Sequence, residues 1–156
     1  MNAIIALGSN LGDRIDNLNK AFEMIEQRIG KITKRGIVLE TEPVGMESES
    51  KFLNTCIETQ TNLSASALLT ELKKIEIDIG RPIDSKGKSL PRSIDLDIIF
   101  YDKLIISTSE LTIPHSKYHL RDFVLEPLLS LQPNLFDPQK KLTIKQLINY
   151  KKIFNN

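Results

Sequence analysis

The sequence predicts an α+β fold, an antiparallel βαββαβ sheet with helices packed on it and a C-terminal extension of loop and helix. Three observations carry the prediction. Short β-branched, apolar runs alternate with two stripes of helical period, a glycine closes each stripe, and no repeat, low-complexity tract or Pro/Gly-rich linker divides the chain.

"AIIALG" (Ala3 to Gly8) reads as a short apolar strand, and "SNLGD" as the turn into a helix capped by Asp13. Ile15, Leu18, Phe22, Ile25 and Ile29 recur at helical spacing before Gly30. "KITKRGIVLET" and "KFLNTCIETQTNL" read as two long antiparallel strands around the polar loop "EPVGMESES". Ser64 or Ser66 caps a second helix with the stripe Leu68, Leu69, Leu72, Ile75 and Ile79, ending at Gly80. A charged loop, 81–91, leads to the strand "RSIDLDIIF" and a short return, "LIIS". From Leu111 the pattern is less regular: the loop "TIPHSKYHLRD", a helix around Phe123 to Leu131, and an amphipathic end near Thr143 to Ile148, expected to cover part of the sheet. The order is ferredoxin-like, and the first and fourth strands of that topology can build a cleft.

With 156 residues, 40% of them hydrophobic and 26% charged, the chain reads as one domain over 1–156 that needs no staples. A formal charge of +1 argues against a long nucleic acid as partner but leaves small anions open. Cys56 is the single cysteine, so no internal disulfide forms, and neither a cleavable leader nor a run of membrane length is visible. The expectation is a cytoplasmic monomer that binds small molecules and no membrane.

Asp95 and Asp97 are the chemically loaded feature. On a pleated strand Ile94, Leu96 and Ile98 line one face, and Asp95, Asp97, Ile99 and Tyr101 are expected on the other, so two carboxylates stand side by side. Their repulsion suits Mg²⁺, which takes oxygen ligands from one or two carboxylates and substrate phosphates. A solvated face of an edge strand is the alternative for such a pair taken alone. Arg92, three residues before Asp95, and Arg81, Lys86 and Lys88 in the preceding loop favour the metal, because cations beside a metal-binding pair are what phosphoryl transfer needs.

"GSNLGDR" (Gly8 to Arg14), "TEPVG" (Thr41 to Gly45), "FLN" (Phe52 to Asn54), Ile75-Glu76, Gly80-Arg81, "PRSIDLDIIFY" (Pro91 to Tyr101) and "LTIPHSKYHLRDFVLEPL" (Leu111 to Leu128) occur in an order that resembles 6-hydroxymethyl-7,8-dihydropterin pyrophosphokinases of folate biosynthesis. The resemblance implies transfer of pyrophosphate from ATP, the co-substrate, to the pterin hydroxymethyl oxygen, releasing AMP. It implies two Mg²⁺ ions at Asp95 and Asp97, with Arg81 and Arg92 as further catalytic residues. Arg92, His115 and Arg121 match phosphate contacts, and Glu76, Ile98 and Thr112 match positions near ATP. Phe52 and Phe123 match a stacking pair for the pterin, Asn54 the amide that reads its edge, and Thr41, Pro43 and Val44 the adjoining loop.

For His115 the alternative is a loop histidine that caps a carbonyl; for the two phenylalanines it is core packing. Phe52 and Asn54 are two apart and share a strand face, which supports one site. The chain departs from the family where Trp-Gly often precedes Pro-Arg (Ser89 and Leu90 here), where a second loop arginine is frequent (Ile83), and at Glu110 and Ser116. Loops 42–51 and 81–91 are expected to be mobile without ligand and to close over both substrates, bringing Arg81 to the phosphates. Nucleotidyl transfer to nucleic acid, which would need a broad basic groove, and metal-independent metabolite binding are the competing readings.

Overall fold

Two side chains decide where the long helices begin. Asp13 accepts from the backbone N–H of Asp16 at 3.0 Å and opens α1 (Arg14–Arg28), and Ser64, not Ser66, accepts from Ala67 at 3.1 Å and opens α2 (Ala65–Ile79). In this computed structural model the described residues are 1–42, 51–80 and 93–154. Pro43, Val44, Arg81 and Arg92, with most of both loops expected to close, lie outside them.

The strands are β1 (Asn2–Ser9), β2 (Ile32–Arg35), β3 (Leu39–Thr41), β4 (Phe52–Gln60) and β5 (Asp95–Tyr101), and they form one antiparallel sheet in the order β2-β4-β1-β5 with β3 also on β4. This is the ferredoxin-like order, with first and fourth strands adjacent. Three shorter-range elements of the last third are β6 (Ile106–Ser107) paired with β7 (Thr112–Ile113), α3 (Asp122–Leu131), and β8 (Phe136–Asp137) paired with β9 (Leu142–Thr143), before α4 (Ile144–Phe154). The "LIIS" return therefore pairs with the segment after it rather than with the main sheet.

One face of the sheet is closed by α1 and α2: Leu18, Ala21, Phe22 and Ile25 with Leu68, Leu72 and Ile75 meet Ile5, Leu7, Ile57, Leu96 and Ile98. Each fully buried Leu or Ile there stabilises the fold by about 1.5–3 kcal/mol. Ile15 departs from the expected stripe and is 66% exposed, while Asn17 is buried in its helix and donates to Leu11 O at 2.8 Å, pinning the preceding turn. The other face is covered in part by α3, which packs Val124, Leu125 and Leu128 on Ile4, Cys56, Ile99 and Phe100. The C-terminal third thus supplies a second core, and the uncovered part of this face is left for a ligand.

Two irregularities contradict a uniform reading of the strands. "KITKRGIVLET" is broken at Gly36, where a Cβ would stand 2.7 Å from Pro127 O and 3.1 Å from Cys56 O, so α3 can approach β4 only over a glycine. The Ile37 N–H bonds Ser130 Oγ of that helix at 2.9 Å instead of a strand. In β5 the register slips between the pairs Ile5–Ile98 and Ile4–Phe100, leaving Ile99 as an extra residue. That bulge reverses the parity beyond it: Tyr101 lies with the helix-side core, its hydroxyl donating to Leu63 O at 2.5 Å, and does not share the face of the aspartates.

Candidate active site

Cross-strand register builds the site from β1 outward. Gly8 pairs with Asn54 of β4 on one side and Asp95 of β5 on the other; Ala6 pairs with Cys56 and Asp97. Opposed residues of adjacent strands point to the same face, so two of the smallest side chains form a trough between an amide wall and a carboxylate wall. Two interstrand steps put those walls roughly 10 Å apart. The trough is the floor of a cavity of about 490 Å³ whose walls include Thr41, Phe52, Asn54, Asp95, Asp97, Ile99, His115, Arg121 and Phe123. Such a volume is of small-molecule size.

The amide wall is fixed before any ligand arrives. Asn54 is buried and donates from Nδ2 to Thr41 Oγ1 at 2.7 Å. A Cβ on Gly8 would lie 2.9 Å from Asn54 Oδ1, and in ordinary contact with the Phe52 ring at 3.5 Å, so glycine is what leaves the Asn54 amide where it is. Arg14 braces the same wall from α1, donating to Lys51 O at 2.8 Å and pairing with Glu40 at 2.9 Å.

The carboxylate wall is electrostatically loaded. Burial first, and then the neighbouring Asp95, push the Asp97 carboxyl from its ordinary 3.8 up to about 7, while Lys73 and Arg121 pull it down. Glu76, buried at the outer edge of β5, accepts from the Leu96 N–H at 3.1 Å and pairs with Lys73 at 3.2 Å. It fixes the strand segment between the two aspartates from behind.

The bulge in β5 positions the cationic end. The carbonyl of the extra residue, Ile99, accepts from the His115 N–H at 3.0 Å. His115 Nδ1 in turn accepts from the Lys117 N–H at 3.1 Å, which assigns the ring proton to Nε2. Burial, then Arg121, hold the imidazole down at about 4, so His115 is a neutral donor at physiological pH. Arg121 stands beside it with its guanidinium 5.8 Å from the Phe123 ring centre. Its carbonyl accepts from Val124 and Leu125 at 3.0 Å each, starting α3.

Of the residues singled out in the sequence, Thr41, Phe52, Asn54, Asp95, Asp97, His115, Arg121 and Phe123 meet in this one cavity. Three do not line it: Glu76 lies behind β5, Ile98 lies in the helix-side core, and Thr112 is exposed on β7. Ala6, Gly8 and the Ile99 carbonyl were not read as site groups. Small residues at alternate positions of an otherwise bulky strand were the available signal for the first two; nothing local marks the third.

The model for 7,8-dihydro-6-hydroxymethylpterin-pyrophosphokinase (HPPK) matches residues 4–133 of this chain. A 2-amino-4-hydroxy-6-hydroxymethyldihydropteridine pyrophosphokinase of Aquifex aeolicus is 37% identical over 142 residues, 91% of this chain and 87% of that one. The mitochondrial folate synthesis bifunctional protein of Pisum sativum is 38% identical over 134 residues, and the match covers 86% of this chain but 26% of the pea protein. Among solved structures, Plasmodium falciparum HPPK-DHPS with pteroate superposes with a TM-score of 0.79 at 18% identity, over 99% of this chain and 44% of that one, which supports the shared fold. Matched over most of its length by both the family model and a relative of similar size, the chain belongs to the 7,8-dihydro-6-hydroxymethylpterin-pyrophosphokinase family.

Proposed function

We propose that this cavity is where the chain, a pyrophosphokinase with ATP as co-substrate, transfers pyrophosphate to the hydroxymethyl group of 6-hydroxymethyl-7,8-dihydropterin in folate biosynthesis. The observation that carries the assignment is the Asn54–Gly8–Asp95 row, which sets a fixed amide and a carboxylate pair on opposite walls of one trough. A flat heterocycle fits between Phe52 and Phe123 with its polar edge on Asn54, and its hydroxymethyl group then points toward Asp95 and Asp97. Thr41, at the end of β3, borders the ring, and Pro43 and Val44, outside the described residues, are assigned to the same substrate.

The carboxylate pair suits Mg²⁺: its donors are all oxygen, and the burial and the neighbouring Asp95 that raise the Asp97 carboxyl both disfavour a second negative charge there, which a cation would offset. Asp95 and Asp97 would hold two Mg²⁺ ions, whose charge would offset that of the ATP phosphates. Bound there, Mg²⁺ supplies charge neutralisation and orientation of phosphate oxygens. The chain's own residues do the rest by position. Arg121 and the His115 Nε2–H donate to phosphate oxygens, with Arg81 and Arg92 assigned to the same charge. As the hydroxymethyl oxygen forms its bond to the β-phosphorus, the bond from that phosphorus to the α-phosphate oxygen breaks and AMP leaves. The hydroxyl proton is lost to solvent, and holding the two reactants in line is the main contribution of the site. Glu76 and Ile98 serve the nucleotide side by fixing β5, and Thr112 borders it from β7.

The assigned groups all come from one chain, so this reading needs no second copy to complete the site. No helix among the described residues is long and apolar enough to cross a membrane. The test is product analysis: ATP, pterin and Mg²⁺ together should give AMP and pterin diphosphate in equal amounts, and ADP or free phosphate as the main product would contradict the assignment.

The trough makes a selective prediction. Gly8→Ala must displace the Asn54 amide, and Asn54→Ala removes it, so both variants should weaken pterin binding about tenfold or more, the scale of a lost buried hydrogen bond. Calorimetry should find the affinity for an ATP analogue within about twofold of the parent chain. Equal loss of both ligands would mean that the sheet itself has been disturbed.

A further inference from the structure

The segment that carries His115 and Arg121 is held to β5 by a buried pair outside the cavity. Tyr118, in the 3-10 turn Tyr118–Leu120, is 1% exposed and stands three residues from each of them. Its ring meets Phe100 of β5 edge-on, with centres 5.1 Å apart. Its hydroxyl donates to Asp137 Oδ2, and Asp137 is fully buried. The other carboxylate oxygen, Oδ1, accepts from the N–H groups of Gln139 at 2.7 Å and Lys140 at 2.8 Å, closing the β8–β9 turn. Asp137 thus joins two stretches of chain with one carboxylate, and it lies beyond residue 133, where the family match ends.

We propose that Tyr118 and Asp137 are positioning residues for the nucleotide side of the site, so that the C-terminal hairpin sets the placement of His115 and Arg121. The physical reason lies in the number of anchors. The described backbone bonds tie His115 to Ile99 at the start of the segment and Arg121 to Tyr118 at its end. Between them, beside the local turn bonds of Lys117 and Leu120 and an exposed contact of Lys151 Nζ with Leu120 O at 3.4 Å, the buried fixed points are the ring contact and the hydroxyl bond of Tyr118. Ring packing alone resists movement perpendicular to β5, whereas a directional hydrogen bond also resists sliding along it. On the pterin side, the amide wall is built from β1, β3 and β4, and Phe123 is carried by α3, which packs on the sheet through its own Val124, Leu125 and Leu128; neither needs this anchor.

This inference rests on the assignment of phosphates to His115 and Arg121, and the experiment separates the two. Tyr118→Phe keeps the ring and removes the hydroxyl; Asp137→Asn keeps an acceptor and removes the charge. Equilibrium binding of a non-hydrolysable ATP analogue with Mg²⁺, and of the pterin, is measured for each single variant and the double, well below their melting temperatures. Each single variant should lose about five- to twentyfold in analogue affinity with pterin affinity within about twofold, and the double should be no worse than the weaker single. A lowered melting temperature with unchanged analogue affinity in both variants would overturn the inference and leave the pair a purely structural one. If the parent chain binds the pterin but not the analogue, the phosphate assignment fails and this inference falls with it.

Discussion

Asp97→Ala is expected to lower kcat/KM by a hundredfold or more while leaving the fold intact, the scale of losing a group that stabilises charge in the transition state. The stability arm of the prediction has the opposite sign. In the metal-free protein the Asp97 carboxyl is raised from 3.8 to about 7, so the folded state holds its proton more tightly than the unfolded chain. That contribution to stability is full below the ordinary carboxylate range and is lost as pH rises through about 7. Asp97→Asn removes the titration. Its melting temperature without Mg²⁺ should match that of the parent chain near pH 4 and exceed it at pH 8, by about 1–3 kcal/mol or roughly 3–10 °C. Near-normal turnover in the alanine variant would show that the metal assignment is wrong, and an asparagine variant no more stable at pH 8 would show that burial and Asp95 do not raise the Asp97 carboxyl.

Arg121→Ala carries the second largest expected effect. The guanidinium stands on the cavity wall beside His115, while the backbone carbonyl of this residue, which the substitution leaves in place, starts α3. Loss of a charge-assisted phosphate contact should cost on the order of a hundredfold in kcat/KM and weaken the ATP analogue strongly. Pterin affinity should change only a few-fold, through the lost contact between the guanidinium and the Phe123 ring. Steady-state kinetics beside calorimetry checks this; an unchanged analogue affinity would move the phosphates elsewhere in the cavity.

Local signals were enough for the helices and for most of the site. Asp13, Ser64 and the apolar stripes gave both long helices because caps and period act within a few residues. Phe52 with Asn54, and Asp95 with Asp97, were legible as pairs because alternation along a regular strand fixes their face. What stayed hidden depends on other parts of the chain. Nothing near Ile99 announces a bulge, which arises from pairing with β1, so Tyr101 was placed on the wrong face and the anchor of His115 was missed. Gly36 breaks its strand because α3, some ninety residues later, lies against it. Ile15 fits the helical stripe but falls at the helix start, beyond the cover of α2. Asn17 took a buried place that no apolar periodicity assigns to a polar residue.

A crystal structure of the protein with Mg²⁺, a non-hydrolysable ATP analogue and 6-hydroxymethyl-7,8-dihydropterin tests the central claim most directly. The account predicts the pterin ring between Phe52 and Phe123 with its polar edge on Asn54, and the phosphates at Asp95, Asp97, His115 and Arg121, with the hydroxymethyl oxygen facing the β-phosphorus. A pterin bound away from the Gly8 trough, or phosphates held with no cation at the two aspartates, would contradict it.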